Sequence, residues 1–172
     1  SLRGTLLKLA GIVSAAFGVA ALVNFGKESV KLASDIEEVQ NVIDVTFGNG
    51  AAQIEEFAQT AAEAYGLSEL AAKQYTGTMG AMLKSSGLST SAAQEMSMAL
   101  TGLAGDIASF YNLDTDAAFE KIRAGISGET EPLKQLGINM SVANLEAYAL
   151  SKGIAKSYNA MSQAEQVLLR YN

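Results

Sequence analysis

The stretch MSMALTGLAGDIASFYNLDTDAAFEKI, residues 96–122, contains the two patterns that decide the fold of this chain. Asp114 follows an apolar residue and precedes two alanines, as a helix N-cap precedes its first turn. Before it, apolar residues return every three or four positions and define one face of a helix: Met96, Leu100, Leu103, Ile107 and Phe110. The stretch therefore predicts two consecutive helices with a capped start between them.

The capping pattern recurs along the chain. Each copy has an apolar residue, then an oxygen-bearing side chain, then small or apolar residues three and four positions later. The further copies are GLSELAA, GLSTSAA, GINMSVA and AMSQAEQ, with predicted caps at Ser68, Ser89, Asn139 and Ser162. Ser162 with Glu165 also fits a reciprocal capping box. Successive starts are 21 to 25 residues apart, which is too irregular for a strict repeat, so we predict a run of short helices.

Helical spacing extends through the earlier part of the chain. One stripe steps by three or four residues until Gly48-Asn49-Gly50 interrupts it, and consists of Leu32, Ile36, Val39, Ile43 and Phe47. A second stripe runs from Ile54 to Tyr65 and stops at Gly66. The helix around Gly77 and Gly80 is the weakest, because each glycine costs about 1 kcal/mol relative to Ala. Such a helix either bends there or receives another element at close range.

The composition supports an all-α fold and excludes several kinds of catalytic and metal-binding site. The chain of 172 residues has one Pro and no Trp, whereas an all-β domain normally uses more turn and aromatic residues. It has no Cys and no His, which removes disulfides, thiolate metal sites and the commonest general base. The chain lacks an initial Met and ends within a helical pattern, so we expect a piece of a longer protein.

Charge is distributed unevenly. Residues 1–26 contain two bases and no acid, whereas eight acids and no base lie between Lys31 and Lys73. Such an acidic surface repels phosphate backbones, so sequence-specific nucleic-acid binding is not expected.

The opening segment LAGIVSAAFGVAALVNFG, residues 9–26, has no charged residue. As a helix it would measure about 27 Å, close to the ~30 Å hydrocarbon core of a bilayer. Its small residues would let helices approach closely. Two readings stay open, a membrane span and a helix buried in a protein assembly. We predict an apolar helix over 1–27, followed by a multi-helix bundle of short amphipathic helices over 28–172. The predicted membrane or helix-packing residues are Gly11, Ile12, Ala15, Phe17, Gly18, Leu22 and Phe25.

Sequence motifs that would indicate catalysis are weak in this chain. Glu129 and Glu131 could form a carboxylate pair for glycoside hydrolysis, but charges at a helix start explain them better. Ser127 lies in GISGE, which resembles a nucleophile elbow without its final Gly, and no His is present to activate it. We predict that the chain is not an enzyme and has no catalytic, metal or cofactor-binding residue.

Three stretches resemble the core domain of phage tail tape-measure proteins of long-tailed phages and prophages. They are AAKQYTGTMGAMLKSSGLS (71–89), LAGDIASFYNLDTDAAFEKIRAGISGETEPLKQLGINMSVANLEAYAL (103–150) and MSQAEQVLLRYN (161–172). The string RAGISGETEPLKQLGINMS is the most specific of these.

This resemblance implies a helical protein in the lumen of the tail tube, made in the bacterial host cytoplasm, whose length sets tail length. It implies three copies per tail, with contacts to tube proteins, tail-tip proteins and a tail assembly chaperone. It also implies release ahead of the genome, and in some members a step at the host membrane. For residues 9–26 the expectation becomes packing against protein before infection and insertion into a bilayer afterwards.

The alternatives differ in what they predict. A scaffold without a membrane step predicts that a charge at Val13 or Val19 impairs tail assembly rather than genome delivery. A peptidoglycan-degrading tail enzyme predicts clearing in a zymogram. A pore-forming helical protein predicts permeable vesicles without any phage component.

Overall fold

The computed structural model describes residues 19–172, with side chains from residue 31 onward. Within this range the chain forms helices and no strand, which confirms the predicted all-α class. Short 3-10 helices occur at Gly48–Gly50 and Tyr158–Ala160. The α-helices are α1 (Val19–Phe47), α2 (Ala51–Tyr65), α3 (Glu69–Ser85), α4 (Thr90–Tyr111), α5 (Thr115–Ser127), α6 (Glu131–Lys134), α7 (Val142–Ser151) and α8 (Gln163–Tyr171).

The chain divides into two units between Glu38 and Val39. We call residues 39–172 the core unit. Helix α1 continues across the division, and its last residues, 39–47, belong to the core unit. The predicted boundary between residues 27 and 28 lies within α1 and stays a prediction.

The predicted apolar helix over residues 1–27 falls largely outside the described residues. Helix α1 is described from Val19, so the backbone at Leu22 and Phe25 is helical. No helix of residues 19–172 is both long enough and apolar enough to cross a bilayer. The other predicted packing residues precede the described part of the chain: Gly11, Ile12, Ala15, Phe17 and Gly18.

The predicted N-caps are confirmed at four of the five helix starts. The side chains of Ser68, Ser89 and Asp114 each accept a hydrogen bond from a backbone N–H in the first turn that follows. Ser162 and Glu165 form the complete capping box. These bonds satisfy N–H groups that have no partner within the helix, and they define where α3, α4, α5 and α8 begin.

The predicted cap at Asn139 is wrong. Helix α7 begins two residues later, with Ser141 as its N-cap. The Asn139 side chain instead accepts a hydrogen bond from the backbone N–H of Ser141 at 3.0 Å. Asn forms such a local turn as readily as a cap, because its side-chain oxygen reaches the N–H two residues ahead in either case.

The core unit is built around the pair α3 and α4, which pack together more extensively than any other two described helices. Helices α2 and α5 pack against this pair. The main core joins residues from α2 to α8, among them Leu83, Leu100 and Ile122. A smaller cluster lies between α7 and α8 and contains Leu145, Met161 and Leu169.

The two glycines of α3 receive the end of α1. A Cβ atom on Gly77 would lie 3.2 Å from Cγ1 of Val42, and one on Gly80 would overlap the ring of Phe47. Close approach of a second helix, rather than a bend, therefore accounts for this glycine pair. Phe47 is 2% exposed as a result.

The apolar stripes are buried only in part. In α4, Met96, Leu100 and Ile107 belong to the core, whereas Leu103 is 43% exposed and Phe110 is 82% exposed. Both positions fit the helical spacing, yet neither side chain is buried.

Candidate functional site

The most specific string of the sequence, residues 123–141, forms a corner between α5 and α6. Gly125 lies so close to Leu133 that a Cβ atom would overlap the leucine side chain. Gly128 ends α5 with φ +111°, in the left-handed region that only glycine adopts without strain. The backbone N–H of Glu129 then donates to the carbonyl of Ala124 at 2.8 Å and closes the turn. Packing and helix termination account for the residue types in this corner.

Arg170 of α8 holds the same corner from the other side. Its side chain is 5% exposed, and Nε donates to the carbonyl of Ile126 at 2.7 Å. A second hydrogen bond joins Nη1 to the hydroxyl of Tyr158. A cation is favoured here because the last carbonyls of α5 form the negative end of its dipole. Arg170 thus ties the end of the chain to the core through a helix terminus.

The two carboxylates considered for catalysis are both exposed. Glu131 lies in the first turn of α6 and forms an ion pair with Lys134. Glu129 is exposed in the turn before it. The hydroxyl of Ser127 donates to the carbonyl of Ala124 at 2.7 Å. No group of three or more acidic side chains among residues 31–172 could hold a metal ion.

An apolar groove lies between α7 and α8, with a volume of about 460 Å³. Ile154 and Leu168 are 45% and 40% exposed at its surface. Tyr148 donates a hydrogen bond at 3.2 Å to the carbonyl of Asn172, which links the two helices across the groove. Its apolar and aromatic lining consists of Tyr148, Ile154, Met161, Leu168 and Leu169. A groove of this size between two helices suits an apolar helix face.

Charged groups stand at the edge of the groove. Lys152 places its Nζ 5.4 Å from the ring centroid of Tyr148. Of the Lys and Arg side chains in the core unit, that of Lys152 alone has no hydrogen bond or ion pair to another described residue. Glu165, by contrast, accepts hydrogen bonds from Lys156 and from the backbone of Ser162, and these lower its pKa to about 2. The groove therefore has a lysine side chain without an ion pair, beside a carboxylate that is already paired with Lys156.

An apolar face of α1 is also uncovered. Leu32 and Ile36 are 51% and 49% exposed, although both continue the stripe that buries Ile43 and Phe47. The acids next to them, Asp35 and the pair Glu37 and Glu38, form no ion pair with a described residue.

Comparisons with protein-family models, with curated proteins and with solved structures find no match.

Sequence reasoning did not identify Arg170 or Lys152. Arg170 lies in the final helix at a position whose neighbours Val167 and Leu169 are buried, so its spacing did signal an inward side chain. Lys152 directly follows α7, where a lysine commonly interacts with the last carbonyls of the helix. Its position in the sequence therefore gave no sign that it lies at the edge of a groove.

Proposed function

We propose that this chain is part of the core of a phage tail tape-measure protein, a structural component that sets tail length. The observation that carries the proposal is the corner of residues 123–141, the string most specific to the resemblance. In it, Gly125, Gly128 and Leu133 serve packing and termination. A mechanical role needs such folding residues, whereas an enzyme needs reactive groups that converge on a cleft.

The charge of the chain supports a location where DNA passes the protein without binding to it. Residues 32–72 contain eight acids and no base, so this part of the surface repels a passing phosphate backbone. The proposed location is the lumen of the tail tube, after synthesis in the bacterial cytoplasm. The proposed partners are tube proteins, tail-tip proteins and an assembly chaperone, with departure ahead of the genome.

Self-association is part of the proposal. The uncovered apolar face of Leu32 and Ile36 supports it, because apolar side chains at four-residue spacing on an exposed helix are typical of helix–helix contacts. Three copies of the chain would contact one another in the tail.

The decisive experiment alters the length of the tape-measure gene that encodes this chain. Inserting about 30 residues of helix-forming sequence before residue 28 should lengthen the tail by about 45 Å, at 1.5 Å per residue. Electron microscopy of negatively stained particles measures the change. A matched insertion of the same length into a tail-fibre gene serves as the control. Tails of unchanged length would contradict the proposed role.

The membrane step concerns residues 9–26 and is tested separately. A peptide of residues 1–30 should become helical and insert when it is mixed with liposomes. The same peptide with Val13→Asp and Val19→Asp should do neither, because a charge in the hydrocarbon region costs about 3 kcal/mol. If the unmodified peptide shows neither helicity nor insertion, the proposed membrane step is contradicted, whereas the proposed structural role is unaffected.

A further inference from the structure

Two uncovered surfaces of this chain have complementary chemistry. The groove between α7 and α8 offers an apolar lining with Lys152 at its edge. The exposed face of α1 offers Leu32 and Ile36, one helical turn apart, with Asp35 beside them. Successive residues are about 100° apart around a helix, so Asp35 flanks the apolar face rather than opposing it. An apolar helix face with an acid at its border matches an apolar groove with a base at its border.

We propose that the groove of one copy receives the Leu32–Ile36 face of a second copy, with Asp35 next to Lys152. This inference rests on the proposed self-association and names the surfaces that perform it. The contact is head-to-tail, since each copy contributes a different surface to each of its two neighbours. A head-to-tail contact closes into a ring when the rotation between copies permits, which suits three copies around a tube axis.

Charge favours this contact over direct pairing of two α1 faces. Pairing α1 with α1 would bring together Asp35, Glu37 and Glu38 of both copies, and like charges at an interface oppose association. The groove instead presents Lys152, the one Lys or Arg of the core unit whose side chain forms no hydrogen bond or ion pair with a described residue. Its other charged group, Glu165, is already occupied by Lys156.

Disulfide trapping distinguishes the two arrangements, because the chain has no natural Cys. Ile36→Cys and Leu168→Cys are introduced into separate 172-residue chains that carry tags of different size. The chains are then mixed and oxidised. We expect the yield of the mixed disulfide to be at least about tenfold above that of the control pair Val45→Cys and Leu168→Cys. Two surfaces that bind each other keep the two thiols close together and so raise their effective concentration. Val45 is 76% exposed on another side of α1.

Each outcome has a defined meaning. If Ile36→Cys chains form disulfides only with one another, the α1 faces pair directly and the inference is overturned. If sedimentation shows oligomers but the mixed disulfide is no more abundant than in the control, the groove is not the receptor. If the chain sediments as a monomer at every concentration tested, the proposed self-association fails together with the inference.

A charge exchange provides a second test. Lys152→Glu and Asp35→Lys should each weaken self-association about threefold, as expected for an exposed ion pair. Mixing the two variants should restore the affinity, because every contact between unlike variants again pairs opposite charges; sedimentation equilibrium measures the change. Lys121→Glu, with the same change of charge elsewhere on the surface, is the control and should have no effect. Equal weakening by Lys121→Glu would show that net charge alone governs association and would overturn the proposed pairing.

Discussion

The ring of Phe47 occupies the space in which a Cβ atom on Gly80 would lie. The two residues are far apart in the chain, yet the end of α1 rests on α3 at this point. Phe47 also belongs to a small buried cluster with Ile43 and Ile54. The glycine that weakens α3 by itself therefore makes room for the side chain that attaches α1 to the core unit.

Gly80→Ala should destabilise the core unit despite the better helix propensity of Ala. Overlap with the ring forces Phe47 to move, and overpacking of this kind costs about 1–3 kcal/mol. The helix gains about 1 kcal/mol in return. We expect a net loss of up to about 2 kcal/mol in the free energy of unfolding, measured by urea denaturation. Gly77→Ala is the control, because its Cβ would be 3.2 Å from Val42 and requires only a small shift. Equal effects of both substitutions would contradict this explanation.

Arg170→Met should lower the free energy of unfolding by about 2 kcal/mol. The substitution removes the donor to the Ile126 carbonyl and the bond to Tyr158, and hydrogen bonds from a charged donor contribute about 1.5–3 kcal/mol. Urea denaturation followed by circular dichroism measures the loss. Arg123→Met is the matched control, because its ion pair with Glu120 is exposed and should contribute less than about 1 kcal/mol. A smaller effect for Arg170 than for Arg123 would show that the α5 terminus does not depend on this side chain.

Tyr75 should make stability fall at alkaline pH. Its burial, together with the hydrogen bond to Asp116, raises the pKa of its hydroxyl from 10.0 to about 12. The unfolded chain loses this proton near pH 10 and the folded chain only near pH 12. The contribution to stability is therefore complete below pH 10 and disappears as pH rises from 10 to 12.

Tyr75→Phe tests this dependence. The variant keeps the stacking on Phe119, whose ring centroid is 4.3 Å away, but has no proton to lose. Denaturation between pH 9 and pH 12 should show a shallower decline for the variant than for the natural chain. Parallel declines would mean that other groups control alkaline unfolding.

Glu165 should contribute to stability at neutral pH and lose that contribution in acid. The hydrogen bond from Lys156, followed by those from Ser162, lowers the pKa of this carboxyl from 4.5 to about 2. A lowered pKa gives stability that is complete above pH 4.5 and lost as pH falls from 4.5 to about 2. Glu165→Gln should flatten the stability profile in that window, measured by thermal unfolding.

Lys156→Met provides the graded comparison for Glu165. It removes the largest cause of the lowered pKa but leaves the capping bonds from Ser162. The acid-sensitive window should therefore become narrower without vanishing. If Lys156→Met and Glu165→Gln had the same profile, the cap would contribute nothing to the pKa of Glu165.

Local sequence patterns were sufficient to predict where four of the helices begin. Ser68, Ser89, Asp114 and Ser162 cap helices because a side-chain oxygen reaches a backbone N–H two or three residues away. Asn139 shows the limit of such signals, since its side-chain oxygen accepts from the N–H of Ser141 in the turn before α7 and does not cap the helix. The candidate groove was not predictable in this way, because its lining comes from α7, α8 and the turn between them.

The sequence by itself determined that the described chain is helical, where four of its helices start, and that Cys and His chemistry is excluded. These properties depend on composition and on contacts within one helical turn. Only the tertiary structure decided that Phe47 is buried while Ile36 and Phe110 are exposed, although all three fit helical stripes. It also decided that Arg170 reaches the end of α5. Burial depends on which distant helix packs against a given face. The spacing of apolar residues along the chain does not determine which helix that is.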